Sequence, residues 1–299
     1  MNGYLLFILS VLLLGHLLDL TAALLNLRRL SPELPAEFVG VFDDNQYARS
    51  QAYTRATTRF GLIQSTASLA LTVAFIVAGG FNYVDLSARS FGFSSIPTGL
   101  LFTGMLALLS AIAGLPFSVY STFVIEQRFG FNTTTVATYV LDGLKTLLLA
   151  VVLGGPLLAA ILWFFETCGS SAWLYCWIAA VAFVLVVQFL APVAIMPLFN
   201  TFTPLAEGEL KAAITDYAAR QQFSIQGIYT MDGSKRSTRA NAFFTGFGRF
   251  RRIVFFDTLA EKLAASEIVA VLAHEMGHCK LKHIPMMMAL STLQMRSEE

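Results

Sequence analysis

Five apolar stretches punctuate the chain, each near the 20 helical residues needed to cross about 30 Å of hydrocarbon. They lie near Tyr4–Leu25, Phe60–Phe81, Gly99–Val119, Leu144–Phe165 and Ala172–Leu198. The first has no Lys or Arg before it and no small-residue cleavage site, and it carries His16 and Asp19. It therefore reads as a retained span rather than a removed signal peptide. A sixth apolar run starts after Pro285, and the chain ends before it could cross. Between Asn200 and about Ser266 the pattern turns polar. Gly208–Gln222 has helical periodicity and Ile225–Met231 alternates like a strand. Asp232–Arg239 is a polar turn, and Ala242–Phe247 and Arg252–Phe256 read as two strands joined through Gly246 and Gly248. Asp257–Leu263 predicts a short helix and Ser266–His283 a longer one, with Ser266 as N-cap and Glu267 favourably placed in the first turn. The expected organisation is a membrane domain over 1–199, a polar domain over 200–283 and the start of a sixth span over 284–299.

Composition agrees with that pattern. Hydrophobic residues are 56% and charged residues 13% of the 299, against about 45–50% and about 25% in soluble domains. The net charge of +1 gives no reason to expect a nucleic-acid partner; the bilayer is the expected one. Five arginines lie between spans 1 and 2 (Arg28, Arg29, Arg49, Arg55, Arg59), against Arg89 alone between spans 2 and 3. The 3–4 segment holds Arg128, the 4–5 segment no Lys or Arg, and twelve follow span 5. This alternation puts the N-terminus outside and the polar domain in the cytosol. The Asn132-Thr133-Thr134 sequon then lies on the cytosolic side and should stay unglycosylated. Cys168, Cys176 and Cys279 are too few for a disulfide scaffold.

Chemistry concentrates in His274-Glu275-Met276-Gly277-His278. Histidines at i and i+4 share one helical face, so their ring nitrogens can meet on a tetrahedral zinc. Glu275, beside the first, is placed to take a proton from water attacking a peptide carbonyl, with the metal as Lewis acid. By composition HExxH should arise by chance in roughly one chain in a hundred of this length. Here it falls on a predicted helix, after two strands, flanked by the small residues Ala273 and Gly277.

The chain resembles the integral-membrane type 1 CAAX prenyl proteases, zinc metalloendopeptidases of the gluzincin group. Beyond HEMGH, the similarity lies in Leu115–Glu126 with Gly130-Phe131-Asn132, in Pro197–Asn200 with Phe202–Leu205, and in Asn241–Gly246 and Arg252–Leu259. The resemblance implies a mainly α-helical, multi-pass membrane protein. Its helical bundle would surround a water-filled chamber, with a small α+β zinc-protease domain carrying HExxH on a helix. It implies one Zn2+ per chain on His274 and His278, and Glu275 as general base. Asn241, Ala242 and Phe243 would form a substrate-binding edge, and the substrate would be a peptide or prenylated protein. The family's third ligand, a glutamate in an ExxxD motif after further spans, has no match here, so the chain reads as truncated. Bacterial inner membrane and endoplasmic reticulum both remain open as its location. Two other readings also stay open: a catalytically impaired scaffold and an intramembrane-cleaving zinc protease.

Other polar residues are weighed individually. His283 would lie opposite His274 on a straight helix, which assigns it with Lys280 and Lys282 to the helix C-terminus and membrane interface. Glu298, twenty residues after His278, is separated from it by an apolar run and is read as coincidence. Cys279 reads as a small buried residue, and Cys168–Cys176 pairing is not expected. His16, Asp19, Gln64 and Gln188 should face protein or water, while Asp142 and Lys145 read as span-end groups reaching for the interface.

Overall fold

The computed structural model describes residues 3–245, 252–283, 286–287 and 289–290. The chain divides into two compact units, Met1–Asn132 and Thr133–Glu299. Among the described residues, five helical runs are long and apolar enough to cross a membrane: Gly3–Arg29, Asp44–Val77, Ser95–Glu126, Val136–Thr167 and Gly169–Phe199. Each overlaps one predicted span. Their apolar cores are 0% buried inside the protein, and side chains such as Phe7, Leu18 and Phe189 stand exposed. Exposure on this scale would be costly in water, at about 25 cal/mol per Å². It is expected where the solvent is hydrocarbon and helices satisfy their own backbone.

In the first unit, α1 (Gly3–Arg29) packs on α2 (Asp44–Val77). Asp43 caps α2, accepting from the Gln46 N–H at 2.8 Å. The helix thus starts well before Phe60, because the hydropathy pattern marks membrane thickness rather than helix length. Thr66 Oγ1 lies 3.2 Å from His16 Nε2, joining polar groups of the first two spans. A further helix, α3 (Gly80–Arg89), enters through Gly79 at φ +74°. Then α4 (Ser95–Tyr120) runs on into a π-helical turn at Ser121–Glu126. The Tyr53 hydroxyl donates to Glu126 Oε1 at 2.5 Å and Arg49 Nη2 to the Phe129 carbonyl at 2.5 Å. The Tyr53 ring meets Phe129 and Phe131 edge-on, at 5.2 and 5.0 Å. Glu126 and Phe131, both within the segments quoted above for their family likeness, thus help fasten α2 to the end of the third span.

In the second unit, α5 (Val136–Leu149) and α6 (Gly155–Thr167) are joined by a π-turn at Ala150–Gly154. A second, at Ala191–Ile195, joins α7 (Ala172–Leu190) to α8 (Met196–Phe199). Pro156 and Pro192 stand at these turns; each lacks the N–H a regular helix needs, which is met by widening locally. Cys168 and Cys176 do not form a disulfide with each other.

The polar segment folds as β1 (Phe202–Pro204), α9 (Glu209–Arg220), β2 (Gly227–Met231), β3 (Ala242–Thr245), β4 (Arg252–Phe256), α10 (Asp257–Lys262) and α11 (Ala265–Lys280). The sheet order is β1-β2-β4-β3. β1 runs antiparallel to β2, β2 parallel to β4 with Ile228 opposite Ile253, and β3 antiparallel to β4 with Ala242 opposite Phe255. β1 was not predicted, since three residues are too few to show alternation. Of the predicted strand Ala242–Phe247, 242–245 are strand; Gly246, Phe247 and Gly248 lie outside the described residues. The core joins Ile214 and Ala218 of α9, Ile253 and Phe255 of β4, and Ile268, Leu272 and Met276 of α11. The last three recur every four residues, one stripe of a helix.

The segment read as a polar turn is a junction within this unit. Arg236 donates to Asp142 through Nε (2.6 Å) and Nη2 (3.0 Å), to Asn200 Oδ1 (2.8 Å) and to the Phe199 carbonyl (2.7 Å). The Arg236 carbonyl accepts from the Thr133 N–H (3.2 Å) and the Thr134 hydroxyl (3.0 Å). Lys145 Nζ donates to the Leu198 carbonyl at 2.8 Å. Asp142 and Lys145 therefore bind protein rather than reaching for the interface. Their partners are distant in sequence, beyond what span-end patterning shows.

Candidate functional site

The HExxH helix begins at Ala265, one residue before Ser266. Ala264 is the N-cap, and the Glu267 carboxylate accepts from the Ala264 N–H at 2.8 Å. Alanine offers no side-chain acceptor, so the Glu267 N–H bonds the Ala264 carbonyl at 3.0 Å. The carboxylate of Glu267 also meets the positive end of the helix dipole. Burial of Ile268, Leu272 and Met276, at 1, 1 and 2% exposure, then fixes the rotation of the helix. At about 100° per residue, His274 and His278 each lie two residues from this stripe, on the opposite face. Both are exposed. Glu275, three residues after Leu272, falls at the stripe's margin and is half-buried.

The two imidazoles converge. His274 Nε2 and His278 Nε2 are 3.0 Å apart, with ring centroids at 4.7 Å and planes at 82°. Two nitrogens on a tetrahedral zinc at about 2.0–2.1 Å would stand about 3.3 Å apart, so a small opening of the pair admits the ion. The donor set, two borderline nitrogens with a carboxylate beside them, fits zinc. No third His, Cys, Asp or Glu joins them among the described residues; Glu298 lies outside those residues. Among the described residues, a methyl group on Gly277 would touch nothing within 4 Å, which leaves this face room for an incoming chain. Cys279 is half-buried against the core.

The helix ends at Lys280, not at His283. Leu281 is the C-cap, and Lys282 takes φ +55°, the left-handed region. The straight helix assumed for His283 therefore does not exist. The chain turns, and His283 Nδ1 comes to 2.7 Å from His278 Nδ1. Lys280 bonds Gln221 Oε1 at 3.1 Å, at the end of α9. Neither residue stands free at an interface.

α11 packs against β3, which pairs with β4 alone among the described strands and so forms a sheet edge. The Phe256 N–H bonds the Asn241 carbonyl at 2.9 Å, which sets the alternation of the ladder. Asn241, Phe243 and Thr245 turn their peptide groups to β4; Ala242 and Phe244 turn theirs outward. Asn241 is exposed and its Oδ1 accepts from the Ala242 N–H at 2.9 Å. Ala242 is buried and Phe243 half-buried. Sequence reasoning placed the edge at Asn241, Ala242 and Phe243. It missed Phe244, which only the register reveals.

α11 has 16 residues and is not among the span-length helices, which argues against a protease that carries HExxH inside a membrane span. Comparison with known proteins completes the description. Residues 23–201 match a family described as CAAX prenyl protease N-terminal, five membrane helices, and residues 204–297 match peptidase family M48. CAAX prenyl protease 1 of Saccharomyces cerevisiae is 40% identical over 276 residues, covering 87% of this chain and 60% of the relative. A Homo sapiens homologue is 30% identical over 294 residues, covering 84% and 62%. The crystal structure of S. mikatae Ste24p superposes with a TM-score of 0.92 at 35% identity, covering 98% of this chain and 71% of the other. The chain thus spans about 60% of the length of such curated relatives. Five spans leading into a sheet that carries HExxH on its last helix, with these matches along the whole length, make the chain a multi-pass membrane member of the M48 metalloprotease family, in its CAAX prenyl protease branch.

Proposed function

We propose that the protein is a zinc-dependent endopeptidase that hydrolyses peptide bonds of prenylated protein substrates at a membrane surface. The observation that carries this reading is the convergence of His274 and His278 at 3.0 Å on the open face of α11. His274 and His278 would hold one zinc through Nε2. When bound, zinc supplies Lewis acidity, acidifying water and polarising a carbonyl. Glu275 is not a ligand in this reading. Its carboxylate takes the proton of the attacking water and passes it to the departing amine. The outward peptide groups of Ala242 and Phe244 hold an extended substrate by strand addition, which accepts many side-chain sequences. Asn241 keeps the Ala242 N–H paired until a substrate carbonyl takes that place, and Phe243 shapes the edge through its backbone pairing with Val254.

The positive charge of alternate loops supports a cytosolic location for the 200–283 protease domain, which follows a 1–199 membrane domain in sequence. The yeast and human relatives support the endoplasmic reticulum over a bacterial inner membrane. The test is zinc content and peptide hydrolysis by the purified protein and by Glu275→Gln. The variant should keep zinc and lose kcat by about 10²–10⁴-fold. Equal turnover by both proteins would refute the assignment of Glu275, and a wild type without zinc would refute the reading as a whole.

A further inference from the structure

The contact between His278 and His283 has no place in the reading so far, and its chemistry is definite. If His278 presents the Nε2 lone pair to a metal, its one proton sits on Nδ1. That Nδ1 faces His283 Nδ1 at 2.7 Å. The bond can form in one way: His278 Nδ1–H donates, and His283 Nδ1 accepts while carrying its own proton on Nε2. The two rings meet edge-to-face, with centroids at 4.9 Å and planes at 68°. No carbonyl or carboxylate takes this position among the described residues. The geometry is built by the backbone. Leu281 ends the helix, with its N–H on the Gly277 carbonyl at 2.9 Å, and the Lys282 N–H bonds the Cys279 carbonyl at 3.2 Å. Lys282 then adopts φ +55°, which a residue with a Cβ holds only at a cost. Further on, the Met286 N–H bonds the Lys282 carbonyl at 3.1 Å. The reversal carries His283 back against the ring one turn earlier.

We propose that His283 is a positioning residue for the metal centre, a neutral hydrogen-bond acceptor that holds His278 in the tautomer and ring orientation required for coordination through Nε2. Ligating imidazoles commonly donate their second N–H to an acceptor that fixes the ring and raises its basicity, and losing that acceptor costs about 10–100-fold in metal affinity. His283 is not itself a ligand, since the nitrogen it meets is the one facing away from His274.

The inference rests on the zinc-protease reading, and the experiment separates the two. Zinc affinity is measured by chelator competition on the metal-stripped protein, for wild type, His283→Leu and His283→Asn. Leucine keeps the bulk beside His278 but accepts no hydrogen bond; asparagine places its carbonyl oxygen where Nδ1 stands. The Leu variant should bind zinc about 10–100-fold more weakly, and the Asn variant should recover to within about threefold of wild type. The same order should hold in kcat at unchanged KM, because the substrate edge is untouched. Wild-type zinc affinity in His283→Leu would overturn the proposal while leaving the protease reading intact. Equal weakening of both variants would overturn it too, since packing rather than the acceptor would then matter. Failure of the wild type to bind zinc would instead sink the protease reading.

Discussion

Replacing Arg236 by alanine tests how the polar segment is fastened to the spans of its own unit. Arg236 is the donor of four hydrogen bonds, two of them to the Asp142 carboxylate, with N···O distances of 2.6–3.0 Å. Its side chain is 24% exposed and that of Asp142 21%. An exposed ion pair contributes about 0–1 kcal/mol, and breaking a fully buried one by removing a partner costs about 3–5 kcal/mol. Partial exposure lets water reach some of the groups left behind, so the expected loss for Arg236→Ala is about 2–3 kcal/mol. At about 2–4 °C per kcal/mol for a unit of this size, the unfolding midpoint should fall by about 5–10 °C. The assay is thermal unfolding in detergent at one fixed scan rate, run as a cycle with Asp142→Ala and the double variant. A coupling of about 1–2 kcal/mol is expected, since the residues touch. Arg236→Lys should recover less than half of the loss, because an ammonium cannot reproduce the planar fork across the carboxylate. Strict additivity of the two alanine variants, each with a loss below about 0.5 kcal/mol, would refute the clamp.

Phe255, fully buried between β2 and β3, should cost about 3–5 kcal/mol on truncation to alanine, read by the same thermal unfolding. Glu267→Ala removes a carboxylate that bonds the N-cap N–H and faces the helix dipole; a loss of about 0.5–1 kcal/mol is expected, and a more stable variant would contradict the capping account. A single cysteine at Ser224, in a background without Cys168, Cys176 and Cys279, should resist an impermeant thiol reagent in sealed cells and react after permeabilisation. Labelling without permeabilisation would place the polar domain on the opposite side of the membrane.

The spans and the HExxH pair were legible because their signals are local. Twenty apolar residues in a row imply a span through one physical requirement, and four residues of spacing put His274 beside His278. Helix starts set by polar residues were not legible: Asp43 caps α2 within a polar stretch that hydropathy passes over. Contacts between distant positions were hidden for a different reason. Nothing near Asp142 announces Arg236, 94 residues later. His283 fell between these cases. Its number was known, but its place depends on Lys282 entering the left-handed region, a conformation that lysine does not advertise. Phe244 was missed because the outward peptides of β3 follow from its register with β4, which the sequence leaves undetermined.

The parallel pairing of β2 with β4 imposes a timetable on synthesis. β1 and β2 can pair as soon as Met231 is clear of the ribosome, but β2 then keeps one edge bare until Phe256 has been made. The part of the core face that α11 covers stays open until Met276 follows, 45 residues after Met231. At about 5–20 residues per second, that interval lasts roughly 2–9 s. For those seconds Ile228 has α9 beside it in the core but not α11, and chaperone access and aggregation both compete for the nascent sheet. Among the strands and helices of this core, the helix bearing His274 and His278 is made after all four strands.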